Sequence, residues 1–206
     1  FAAAAVATCE AAGLDLSLPQ ISAIARSGSS SAARAVTGAF SHLRTGLNDD
    51  DCRSERIGVP DEFEKNLRIV ACEIPAFKHT EQAHKEAAES HMFEARMAHI
   101  HGQISEMRDA LYRADFVDVF ELAEKDSLSL AATTMTGPAA WVYWKPETLQ
   151  VFETVRTLRN EHDIPVYFSV DTGASVYLNT TADHVDTVQS SIEALEIETR
   201  VWTLGG

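Results

Sequence analysis

The stretch Ile24-Ala25-Arg26-Ser27-Gly28-Ser29-Ser30-Ser31-Ala32-Ala33-Arg34 decides how this chain is read. Ile21, Ile24 and Ala25 share one face of a helix that Ser17 caps and that carries Pro19 in its first turn; Gly28 ends it. The serines at 29–31 then open another helix. Free backbone N–H groups and the positive dipole end make such a start an anion site, and the hydroxyls add donors for phosphate oxygens. Arg34 lies one turn further on and can face the same anion, phosphate or carboxylate. Plain capping beside a surface arginine would produce the same residues.

Upstream, Phe1 to Ala12 is Ala-rich and precedes Gly13, which predicts a helix. It lacks a basic leader, and Glu10 interrupts it, which argues against a secretory signal. It also lacks a cap, so a preceding segment is expected outside these residues. Downstream, Gly38 to Leu43 reads as a strand, Asn48 to Glu55 as an acidic loop, and Leu67 to Ile74 as a buried strand ended by Pro75. Helices are predicted over Gln82–Ser90, Phe93–Tyr112, Phe116–Leu130 and Pro146–Arg159. Strands follow over Val166–Val170 and Ala174–Asn179. Thr181 or Asp183 caps a helix through Leu195, and Thr199–Leu204 is a last strand. Helical stretches beside short strands in hairpin order indicate an α+β fold.

The chain has 206 residues, 17 basic and 31 acidic, for a net charge of −14. Such a surface repels nucleic acid and anionic lipid, and no apolar run reaches membrane-spanning length. The spread of acid along the chain favours a protein built for high salt over an ordinary acidic one. The first reading predicts a melting temperature that rises with KCl well beyond the point where Debye screening levels off. A melting temperature flat from low to molar KCl leaves the ordinary one. Cys9, Cys52 and Cys72 are too few and scattered for a disulfide framework or zinc site, so reduced thiols and a cytoplasmic location are expected.

A second chemical signal is Asp171-Thr172-Gly173-Ala174-Ser175, between two expected strands. A carboxylate there can serve as a base at a cleft mouth, although Asp and Gly are also the favoured residues of a simple hairpin turn. His79, His84, His91, His99 and His101 invite a metal reading, but their spacing does not support one; on one helix His99 and His101 point about 200° apart. The run Asp49-Asp50-Asp51 lacks the spaced ligands of a calcium loop. Trp141, Tyr143 and Trp144 read as core or cleft wall.

Taken together, these segments resemble the mevalonate diphosphate decarboxylases of the GHMP kinase superfamily. Ile24 to Arg34 is similar to that family's IAR-x-GS-x-SA-x-R signature, and Lys125-Asp126-Ser127 to its helical KDS segment. Phe168 to Ser175 resembles its F-x-x-DAG-x-N segment, and Phe1-Ala2-Ala3 the helix after its serine-rich ATP loop. Ala32 to Gly38 and Thr136-Gly137-Pro138 look most like the haloarchaeal phosphomevalonate decarboxylase branch.

The resemblance implies a two-layer fold of antiparallel sheets packed with helices. Residues 1–65 would be the remainder of an N-terminal domain and 66–206 the C-terminal domain. It implies ATP and Mg²⁺ as cofactors and a phosphorylated mevalonate as the small-molecule partner, and it allows a homodimer. The 3-hydroxyl is phosphorylated, and phosphate and CO₂ then leave. Asp171 matches the catalytic aspartate, Arg34 the arginine that holds the substrate carboxylate, and Ser29 and Ser31 the serines around the terminal phosphates. Thr172, Ala174 and Ser175 depart from the pattern after the aspartate, and Ser30 replaces a glycine. The choice between mevalonate 5-phosphate, which is favoured, and the 5-diphosphate therefore stays open. A kinase that stops at 3-phosphorylation and a non-catalytic module compete with the decarboxylase reading. The ATP loop is expected before Phe1, so residues 1–206 alone should neither bind ATP specifically nor turn over substrate. Saturable Mg-ATP binding by this segment in a calorimeter would contradict that.

Overall fold

The computed structural model describes residues 1–76 and 80–205. The chain divides into two compact units. Residues 1–64 form the first, together with Leu204 and Gly205, and residues 65–203 form the second.

The first unit is built on three short helices, α1 (Ala2–Ala11), α2 (Leu18–Arg26) and α3 (Ser30–Thr37). Ser17 starts α2, and the Gln20 side-chain oxygen accepts from both the Ser17 N–H (2.9 Å) and its hydroxyl (2.8 Å). Cys9, Ile21, Ala25, Ala32 and Val36 form the core of this unit. These side chains are small, so the helices approach closely and little apolar area is needed to hold them. A buried polar network ties in the next strands. Ser22 Oγ accepts the Ser54 N–H at 2.8 Å, and the Thr37 and Ser54 hydroxyls lie 2.7 Å apart.

Here the structure corrects two expectations. Gly38 and Ala39 have φ of 68° and 43°, outside strand geometry, so only Ser41–Leu43 forms β1. The acidic loop is shorter than expected because Ser54–Arg56 forms β2, which pairs antiparallel with β1. The loop itself turns on Asn48, whose side-chain oxygen accepts the N–H groups of Asp50 and Asp51. A short helix that periodicity did not reveal, α4 (Asp61–Asn66), follows.

The second unit holds a four-stranded antiparallel sheet, with β3 (Leu67–Glu73), β4 (Tyr167–Ser169), β5 (Val176–Thr181) and β6 (Glu198–Thr203) in the order β4-β5-β3-β6. β3 is central, pairing Val70 with Leu178 on one side and Val201 on the other. The helices are α5 (Thr80–Glu89), α6 (Phe93–Tyr112), α7 (Phe116–Met135), α8 (Pro146–His162) and α9 (Val185–Glu193). Val70, Cys72, Phe168, Val176 and Leu178 of the sheet pack with Val151, Phe152 and Val155 of α8 and with Val188 and Ile192 of α9. Phe152 stacks on Phe168 with centroids 4.1 Å apart, and Trp144 meets Phe152 edge-on at 5.2 Å. Trp144 thus belongs to the core. Burial pushes the Cys72 thiol up to about 12, consistent with an unreactive packing residue.

Helix α9 starts at Val185 with His184 in the capping position, not at Thr181 or Asp183. Thr181 is still in β5, and its hydroxyl lies 2.8 Å from His184 Nδ1. The Thr136–Pro138 break after α7 has a packing reason. The buried Glu86 of α5 accepts the Ala139 N–H at 2.7 Å, and a Cβ on Gly137 would lie 2.5 Å from the Glu86 carbonyl oxygen. The result is an α+β architecture of antiparallel sheets packed with helices.

Candidate active site

In the first unit, α3 begins at Ser30 with Ser29 as its cap. Ser29 is extended at φ −171°, ψ 138°, and its Oγ accepts the Ser31 N–H at 3.2 Å. Ser30 and Ser31 lie at the positive end of the helix dipole, both exposed, while Ser29 before them is half-buried. Arg34 is exposed one turn on, and its Nη2 donates to Ser31 Oγ at 3.4 Å. Among the described residues its guanidinium meets no carboxylate. Capping and anion binding are therefore not exclusive here. Ser29 caps the helix, while the exposed Ser31 and Arg34 stand together on one face as donors for a carboxylate or phosphate.

In the second unit, Asp171 sits in the turn between β4 and β5. It is exposed, whereas Val170, Thr172 and Ala174 around it are buried. This alternation points the carboxylate outward from a turn whose neighbours are anchored. Several side chains make that anchorage. Ser127 of α7 accepts the Val170 N–H on its Oγ at 3.1 Å. Thr148, in the first turn of α8, donates its hydroxyl to the Ala174 carbonyl at 2.8 Å. Ser175 Oγ accepts the Ile74 N–H at 3.2 Å, which ties the turn to the end of β3. One helical turn before Ser127, Glu124 accepts the Phe168 N–H at 3.1 Å and takes a two-pronged ion pair from Arg159 at 3.0 and 3.2 Å. Arg159 also lies over the Tyr167 ring, 4.6 Å from its centroid. Burial works against the charge of Arg159, but Glu124 more than offsets it, so the guanidinium is held charged.

Sequence reasoning reaches these anchors only in part. The Lys125-Asp126-Ser127 segment stands out, but its members diverge. Lys125 pairs with Glu121 at 3.2 Å, Asp126 pairs with Arg96 at 2.8 Å, and Ser127 alone reaches the Asp171 turn. Glu124 and Thr148 escape it. The signal that could flag Glu124 is a carboxylate one turn before a buried Ser on an otherwise apolar helix face. Glu124→Ala should lower stability by about 3 kcal/mol, because Arg159 and the Phe168 N–H both lose their partner. Urea denaturation reads this directly, and a loss under about 1 kcal/mol would mean that water replaces the carboxylate.

His79 lies outside the described residues, and among those described no three His, Cys, Asp or Glu side chains gather into a metal-holding group. No helix of the described residues is long and apolar enough to cross a membrane.

Comparison with known proteins fits the same division. Residues 1–54 match the diphosphomevalonate decarboxylase-like N-terminal domain, and residues 73–202 match the mevalonate 5-diphosphate decarboxylase C-terminal domain. The chain belongs to the mevalonate 5-diphosphate decarboxylase family. A phosphomevalonate decarboxylase of Haloferax volcanii is 67% identical over all 206 residues, which span 63% of that protein. Mevalonate diphosphate decarboxylase from Staphylococcus aureus shares the fold at a TM-score of 0.92 and 22% identity, over 100% of this chain and 63% of that one. The Enterococcus faecalis enzyme, solved in a study of mevalonate diphosphate mediated ATP binding, aligns at a TM-score of 0.86 and 25% identity, over 94% of this chain and 60% of that one. The chain thus spans somewhat less than two thirds of its relatives' length. The expected GHMP kinase-like fold holds.

Proposed function

We propose that this chain is part of an ATP-dependent decarboxylase of a phosphorylated mevalonate, with mevalonate 5-phosphate as the favoured substrate. The observation that carries the reading is the 67% identity to the Haloferax phosphomevalonate decarboxylase, in an alignment that runs the whole length of the chain. ATP supplies the phosphoryl group, and the divalent cation that its phosphates require is Mg²⁺. The described residues fit the acceptor side of that chemistry: hydroxyls and N–H groups for an anion, a guanidinium for a carboxylate, and a carboxylate for an alcohol. No nucleotide contact is assigned to them.

A tertiary alcohol is a poor leaving group, and phosphorylation cures that. The serines at 29 and 31 would bind the substrate's terminal phosphate at the α3 N-terminus. Arg34 would hold the carboxylate in the orientation from which CO₂ departs. Asp171 would orient the 3-hydroxyl and draw its proton as the oxygen attacks phosphorus. Its negative charge would then favour the electron-poor carbon that develops as CO₂ and phosphate leave.

Product analysis on the complete enzyme tests the reading. Equimolar ADP, phosphate and CO₂ from mevalonate 5-phosphate are expected, with a higher kcat/KM than for the 5-diphosphate. ADP formation without CO₂ would replace the decarboxylase by a 3-kinase, and the reverse substrate preference would replace the mono- by the diphosphate.

A further inference from the structure

β4 is an edge strand, with β5 on one side and no strand among the described residues on the other. Backbone groups of alternate residues in a strand point to the same edge. The C=O of Val166 and the N–H groups of Phe168 and Val170 therefore share the outer edge, and side chains take the place of a neighbouring strand there. Arg159 of α8 donates to the Val166 carbonyl at 3.1 Å. Glu124 of α7 accepts the Phe168 N–H, and Ser127, one turn on, accepts the Val170 N–H, both at 3.1 Å. Three residues advance about 4.5 Å along a helix and two advance about 6.7 Å along a strand, and the longer glutamate side chain spans the difference. Val166, Phe168, Val170 and Ser127 are all buried, so a lost bond here is not simply made good by bulk water.

These bonds differ in what they do for the residue that follows. Arg159 and Glu124 grip the strand at residues 166 and 168. Ser127 grips it at Val170, where the chain leaves the sheet for Asp171. On the far side of Asp171, Thr148 holds the Ala174 carbonyl at 2.8 Å. We infer that Ser127 is a positioning residue, whose hydroxyl fixes the exit of β4 and through it the direction of the Asp171 carboxylate. The inference rests on the proposed role of Asp171 at the 3-hydroxyl. Without the Ser127 hydroxyl, the buried Val170 N–H loses its acceptor, and the end of the strand shifts to find another. A shift of about 1 Å at a reacting group costs on the order of 10²-fold in rate. The rest of β4 keeps its register, because its bonds to Arg159 and Glu124 and its pairing with β5 are untouched. The effect therefore falls on the aim of one carboxylate rather than on the strand.

The test is a double-variant cycle in the complete enzyme, read by steady-state kinetics on mevalonate 5-phosphate and a thermal melt. Ser127→Ala should lower kcat about 10- to 100-fold and leave KM within about threefold. In the Asp171→Asn background it should lower kcat by less than about threefold more, because a carboxylate already absent cannot be misdirected. Ser127→Cys, close in volume but a weaker acceptor, should fall between serine and alanine, and it serves the same cycle if the alanine variant does not fold. Thr180→Val is the control for stability alone. It removes a buried bond to the Pro165 carbonyl at the opposite end of the same hairpin, and should lower the melting temperature with kcat within about twofold of the parent. Parental kcat in Ser127→Ala, a loss that falls on KM, or equal losses in both backgrounds would each overturn the inference and leave Asp171 in its role. So would a Thr180→Val variant that loses as much kcat at an equal drop in melting temperature. Near-native kcat in Asp171→Asn would instead remove the role of Asp171, and the inference with it.

Discussion

Asp171→Asn is expected to lower kcat by about 10² to 10⁴ while leaving substrate affinity nearly unchanged. Asparagine keeps the size and most hydrogen bonding of aspartate but removes the charge. The 3-hydroxyl is far less acidic than a carboxylic acid, so full proton removal in the ground state is implausible. In the proposed reaction the carboxylate would act by partial proton transfer as the oxygen attacks phosphorus, and by its field on the cationic carbon that forms as CO₂ leaves. Both are transition-state interactions, so the loss falls on kcat rather than KM. The turn itself should survive. Ser127, Thr148 and Ser175 anchor it through backbone groups at 170, 174 and 74, and Asn at 171 leaves those bonds in place. A simple turn residue behaves differently, since Asn forms such turns as well as Asp and activity would stay near native. Steady-state kinetics with a thermal melt on this variant separates the two, and near-native kcat removes Asp171 from the chemistry.

Arg34→Ala should reduce kcat/KM by about 30- to 150-fold, the equivalent of about 2–3 kcal/mol for a charge-assisted bond to a carboxylate. Its side chain is exposed and spends little on its own fold: the contact to Ser31 Oγ is 3.4 Å long. Truncation therefore removes an exposed charge rather than a structural tie, and the melting temperature should move little. If Ser29 and Ser31 bind the other end of the substrate as proposed, Ser29→Ala and Ser31→Ala should mainly raise KM. Of the two, Ser29→Ala should also cost about 1 kcal/mol of stability, because Ser29 Oγ caps α3. If Arg34→Ala leaves kcat/KM within twofold, the carboxylate is held elsewhere.

The legibility of each element follows from where its information resides. Helix α6 is readable to the residue, Phe93–Tyr112, because Met97, Ile100, Ile104, Met107 and Leu111 repeat at helical spacing. Helix α3 is readable from its capping chemistry. The β1–β2 hairpin is not. Its three-residue strands carry no usable alternation, and β2 is held by the Ser54 N–H and hydroxyl, which find Ser22 and Thr37, 32 and 17 residues away. The start of α9 is misplaced from sequence because Thr181 and Asp183 both have good capping side chains, yet pairing of Thr181 with Leu67 keeps Thr181 in the sheet.

The candidate site divides in the same way. The identities and order of Ser29, Ser31, Arg34 and Asp171 are properties of the sequence, as are the acidic charge and the helix that presents the serines, since capping and the dipole act within one turn. What holds the Asp171 turn was decided only by tertiary structure. Ser127, Thr148 and Glu124 reach backbone groups 43, 26 and 44 residues away. A hydrogen bond to a backbone N–H or C=O leaves no mark on the sequence at the backbone end, because nearly every residue there offers the same peptide group. Which serine, threonine or glutamate serves as an anchor is therefore set by how α7 and α8 pack against the sheet.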